Sequence, residues 1–211
     1  MAVMLPAHPL SWLFQKLLRL PACGDKHDLL SAEVEATCRD LAEARSRFES
    51  ALEKLSQLLQ VEEDHLLPLY RELRHLFEES ERRANRISNH IDAIERLSEE
   101  LFAEWEAELQ LYRSRTLRAK SRRKLQQTRK RYRRLLAAMR QAEKRMVPVL
   151  DLFRDQVLFL KHHLNARAVD ALRLEVRIVE RDISELIASM DRSIQEARLL
   201  LDHFVEPHAL N

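Results

Sequence analysis

A chain of 211 residues with 36 Lys and Arg against 34 Asp and Glu is rich in both signs yet carries a net charge of only +2, so the placement of its charges matters more than their total. Its single glycine, Gly24, excludes folds built from many tight turns, which draw on positive φ angles that glycine adopts at no steric cost. Its two cysteines, Cys23 and Cys38, form no disulfide framework, and no uncharged apolar run of about 18 residues is present to span a bilayer.

Three parts are predicted: a segment 1–24, a long helical body 25–205 and a tail 206–211. In the first, HPLSWLFQKLLRL places Leu10, Leu13, Phe14, Leu17 and Leu18 on one helical face with Gln15, Lys16 and Arg19 elsewhere. Trp12, Leu13, Phe14, Leu17 and Leu18 are therefore candidate membrane contacts, with docking onto the body as the other use of the same face. The following LPAC makes Cys23 a candidate lipidation site. Lys16 and Arg19, however, interrupt the apolar stretch that an export signal needs.

The body carries heptad spacing four times, each time broken by a short segment with capping chemistry. In the first helix the stripe is Leu30, Val34, Thr37, Leu41, Ala44, Phe48, Ala51, Leu55 and Leu58. After VEEDH a second helix starts near Asp64, and its later half carries Ala84, Ile87, Ile91, Ile94, Leu101, Trp105 and Tyr112. Ser114 or Thr116 can cap a third helix, striped by Thr128, Tyr132, Leu135, Met139, Ala142, Met146, Val149, Phe153 and Leu160, with Pro148 inside it as an expected kink. Asn165 separates it from a fourth, where Val169, Leu172, Val176, Val179, Ile183, Leu186 and Met190 precede a spacing shift to Ile194, Ala197, Leu201 and Phe204. Short connections force sequential helices to fold back. The predicted fold is all-α: an elongated antiparallel coiled-coil four-helix bundle, up-down-up-down, preceded by a short N-terminal amphipathic helix, with an open coiled-coil dimer as the alternative.

One stretch stands apart. Residues 113–134, RSRTLRAKSRRKLQQTRKRYRR, hold twelve bases and no acid. In a hairpin turning near residue 114, facing residue numbers sum to roughly 228, which sets this run against the acidic segment 87–112. Glu104 then faces Lys124, Glu100 faces Thr128 and Arg129, and Glu95 faces Arg133. The run is expected to be largely a charge-matched flank that fixes helix pairing. Its excess of bases makes Arg118, Lys120, Arg122, Arg123, Arg129 and Lys130 candidate anion contacts. Nucleic acid is expected to bind there only non-specifically through phosphate, because Tyr132 is the one aromatic within the run and base-reading groups are lacking.

No catalytic, cofactor or metal residues are assigned. Glu62 with His65 and Glu72 with His75 have the Glu-x-x-His spacing of carboxylate-bridged metal sites, but both lie at one helix start with no copy on a partner helix. Gly-rich phosphate loops, Cys-x-x-Cys pairs and nucleophile triads in recognisable context are missing.

The segments FESALEKLSQLL, LSEELFAEWEAELQLY and above all FRDQVLFLKHHLNARAVDAL resemble the bacterial DUF2959 family across roughly residues 26 to 204. The resemblance implies a non-catalytic helical protein. Because many relatives begin with a lipoprotein signal, it also implies attachment to the bacterial cell envelope. The present start departs from that pattern and would leave the chain cytoplasmic. A structural or scaffolding role follows, with protein partners or self-association through helix surfaces and contact with a membrane surface; an anion-binding protein using the 113–134 end is the alternative.

Overall fold

The computed structural model describes residues 23–60, 65–163 and 165–205; the side chains at 23–25, 27, 166, 168, 170, 174 and 202–205 lie outside that description. Four helices make up these residues, with no strand among them: α1 (Cys23–Leu58), α2 (Leu66–Glu108), α3 (Arg115–His162) and α4 (Ala166–Val205). Pro68 sits in the first turn of α2, where its missing N–H costs no helical bond. Pro148 lies inside α3, and the helix continues through it.

Each helix buries one apolar stripe against two neighbours. α1 packs on α2 and α4, and α3 on the same two, so the four seams close into one ring within a single chain. Ion pairs show how neighbours run: Lys26 near the start of α1 meets Glu104 near the end of α2, while Lys54 near the end of α1 meets Glu72 near the start of α2. Arg145 of α3 meets Glu185 of α4, and Arg45 of α1 meets Asp191 of α4. Across the ring, Phe48 of α1 and Phe153 of α3 lie 6.4 Å apart between ring centroids. Full burial of each such Leu, Ile or Phe contributes roughly 1.5–3 kcal/mol, which is what holds these helices together.

All nine stripe positions of α1 are buried, as are all nine of α3. In α2 the seam extends back through Leu66, Tyr70, Leu73, Phe77 and Ser80, beyond its predicted half. Two expectations need correction. Tyr112 lies in the turn after α2 and is 36% exposed, because the helix ends at Glu108. The spacing shift in α4 does not occur: the buried set after Met190 is Ser193, Ala197 and Leu200, while Ile194 and Leu201 are only half-buried. Ser193 occupies a seam position that a search for large apolar side chains passes over.

Candidate functional site

The α2–α3 hairpin is built from its turn. After Glu108, the amides of Leu109, Gln110 and Leu111 bond back to the carbonyls of Trp105, Ala107 and Glu108, closing the end of α2. Ser114, in an extended conformation, accepts the Leu117 amide at 3.3 Å and caps α3. Arg118 donates through Nη2 to the Tyr112 carbonyl at 2.7 Å and so ties the turn to the first helical turn. Trp105 gives its indole N–H to Ser121 Oγ at 2.9 Å across the hairpin.

The charge match expected along this hairpin is mostly not made. Among the described residues, Arg129 alone of the twelve bases in 113–134 forms an ion pair, with Glu106 at 2.8 Å. Its hydrogen bond holds the Glu106 carboxyl below the usual range, and the guanidinium lies 5.2 Å from the Phe102 ring centroid. The acids assigned to the run go elsewhere. Glu100 and Glu104 turn to Lys26 on α1, and Asp92 and Glu95 bind Arg140, which lies beyond the run. Hydrogen bonds to Glu95, then Asp92 and Glu143, raise the Arg140 pKa and outweigh the opposing effect of burial.

The register explains the miss. In the ion pairs Arg129–Glu106, Arg140–Glu95 and Arg154–Glu81 the residue numbers sum to 235 and in Arg140–Asp92 to 232, beyond the expected value, while the uncharged Trp105–Ser121 contact beside the turn sums to 226. Side chains on a helix lean toward its own N-terminus, so in an antiparallel pair both partners reach back, and the residues that meet carry higher numbers than those whose backbones are level. Shifted by seven, the acidic segment 87–112 points at 123–148 rather than 116–141. The bases nearest the turn are left without acids opposite them.

Those bases therefore face outward. Of the candidate anion contacts, Lys120, Arg122, Arg123 and Lys130 are exposed and without ion pairs; Arg118 is partly engaged by the turn, and Arg129 belongs to the protein's own cohesion. Lys124 and Arg133, expected to face Glu104 and Glu95, and Arg134 are also exposed and unpaired among the described residues. Lys130, Arg133 and Arg134 line a shallow groove with Gln126 and Ala137 along the outer side of α3. No acid occurs between Glu108 and Glu143. The first turn of α3 has none either, so its helix-dipole positive end adds to the same field.

Elsewhere, Glu72 is held by Lys54 at 2.8 Å and His75 is exposed. No group of three or more His, Cys, Asp or Glu among the described residues is arranged to hold a metal ion. No described helix is long and apolar enough to cross a membrane. Trp12, Leu13, Phe14, Leu17 and Leu18, and the side chain of Cys23, lie outside the described residues. Comparison with curated proteins gives no match. A family model described as a protein of unknown function (DUF2959) matches residues 21–206, and the chain belongs to that family.

Proposed function

We propose that this protein is a non-catalytic helical scaffold of the bacterial cell envelope whose working surface is the cationic outer face of α3. One observation carries this: eleven of the twelve bases in 113–134 make no ion pair with any described residue, although the same molecule pairs Arg45, Arg83, Arg140, Arg145 and Arg154 with acids. Among the described helices, α3 alone has more bases than acids. Concentrated there, the surplus sums to a field that a scattered surplus would not produce, and it attracts a polyanionic surface. The remaining helices supply length and rigidity by filling a continuous apolar interior.

Retention on a phosphate-bearing cation-exchange resin tests the proposal. The wild-type protein is expected to be retained at low ionic strength and released by moderate salt, since the contacts are exposed and screened. The Arg122→Gln, Arg123→Gln, Lys130→Gln, Arg134→Gln variant is expected to elute much earlier. Equal elution of the two proteins would defeat the proposal.

A further inference from the structure

The turn that begins the cationic face exposes apolar side chains. Leu111 is 62% exposed, Leu117 54% and Tyr112 36%, grouped at one turn, whereas the other exposed large apolar side chains, from Leu29 to Leu199, are spread along the four helices. These three are close in sequence around the Ser114 cap and are interleaved with Arg113, Arg115, Arg118 and Lys120. An apolar tip ringed by bases is not explained by the packing of the hairpin, because Leu109 and Trp105 already complete the seam there.

We infer that the α2–α3 turn docks on an anionic phospholipid bilayer, with Leu111, Tyr112 and Leu117 entering the interface and Arg113, Arg115 and Lys120 meeting lipid phosphates. This rests on the cationic face of α3 being the working surface and names the partner it takes. Charge complementarity alone would suit nucleic acid equally well, since phosphate is common to both. The apolar residues decide between them. Aliphatic side chains at a tip have no favourable place against a phosphate backbone in water, whereas at a headgroup boundary they leave water while flanking bases stay with the lipid phosphates. The tyrosine suits the same boundary, with an apolar ring and a polar end.

The geometry of the bundle brings a second element to this end. Lys26 pairs with Glu104 and Glu100, so α1 begins beside the end of α2, near the turn.

Sedimentation of the full chain with vesicles tests the inference. The wild-type protein is expected to pellet with phosphatidylglycerol-containing vesicles and not with pure phosphatidylcholine. The Leu111→Ser, Leu117→Ser variant and the Arg113→Gln, Arg115→Gln, Lys120→Gln variant are each expected to lose about tenfold or more in vesicle affinity. Both sets of side chains are exposed, so melting temperatures should stay close to wild type, and a melt on each variant verifies that folding is intact. Three results would overturn the inference. Both variants could bind vesicles as wild type does, which places the contact in 1–22. The serine variant could lose self-association instead of vesicle binding, which makes the tip a contact between copies. Duplex DNA could be bound more tightly than vesicles at matched phosphate and salt, indifferently to the serine substitutions, which makes the partner nucleic acid. In each of these, retention on the phosphate resin still reports separately on the cationic face. Loss of that retention is what removes the underlying proposal.

Discussion

Arg83 shows what a charge costs inside this bundle. Its side chain, 8% exposed, reaches from α2 to Asp40 at 2.7 Å and to Glu43, both on α1. Asp40 also receives Arg86 at 3.3 Å and lies 3.6 Å from His90 Nε2, whose ring contacts Glu33 through Nδ1 at 2.6 Å. Removing the central cation leaves a mostly buried carboxylate with weaker partners, so Arg83→Ala is expected to destabilise by about 3 kcal/mol in chemical denaturation. The Asp40→Leu, Arg83→Met double variant is expected to recover most of that loss, since the penalty comes from the stranded charge. Cys38 presents the opposite case, a group whose neutral form the protein favours. Burial pushes its thiol from 9.0 up to about 11. In a Cys23→Ser background, its alkylation by iodoacetamide at pH 8 should run roughly 100-fold slower than that of an exposed thiol and keep rising to about pH 11. The sign for stability follows. The folded thiol keeps a proton that the unfolded one gives up, so its contribution is complete below about pH 9 and is lost as pH climbs through about 11.

At the scale of helices, the seams were legible because a 3.5-residue spacing leaves little freedom in which face is buried. What escaped were positions where a polar letter does apolar work. Ser80 and Ser98 are buried with their hydroxyls donated to carbonyls of the preceding turn, at 2.7 and 2.8 Å, so no polar group is left unsatisfied; Thr37, which its spacing did place on the α1 stripe, is satisfied in the same way at 2.8 Å. Ser98 continues the α2 stripe between Ile94 and Leu101 in this way. Ser193 differs: it is fully buried, and its Oγ has no hydrogen-bond partner. Ser193→Ala is therefore expected to raise stability by about 1 kcal/mol, read from the urea midpoint, because it removes a desolvated hydroxyl with little change in volume. Helix ends were less legible. The stripe of α2 carried the seam on to Tyr112, whereas the backbone closes at Leu109 and turns Leu111 and Tyr112 outward. Ser114 takes the cap that either it or Thr116 could have supplied, and Ser114→Ala should cost about 1 kcal/mol while loosening the tip. The use of charge was hidden most deeply. A single sequence shows acids and bases in matching stretches, but the lean of side chains and the competing claim of Lys26 decide which of them meet.

Over the whole molecule, near-zero net charge conceals a strong asymmetry. In the later half of α2, Glu100 and Glu104 are spent on Lys26, Asp92 and Glu95 on Arg140 and Glu106 on Arg129, and the other bases around the turn stand unopposed at the positive end of the α3 dipole. Both effects work against folding at that end: like charges repel, and cations at a helix N-terminus oppose the dipole. A chain selected for stability alone would place an acid there. Thr116, exposed in the first turn of α3, is the site at which to restore one. Thr116→Glu should gain about 0.5–1 kcal/mol from the dipole and from Arg113, Arg115 and Lys120 nearby, raising the melting temperature by roughly 1–4 °C for a chain of this size. The same substitution introduces a negative charge into the ring of bases around the tip, so affinity for phosphatidylglycerol vesicles and retention on the phosphate resin should both fall. Opposed movement of melting temperature and anion binding is the signature of a surface kept cationic for its partner at the expense of the fold. A substituted protein that melts lower, or that melts higher and binds anions undiminished, would show that the basic run serves the helix itself.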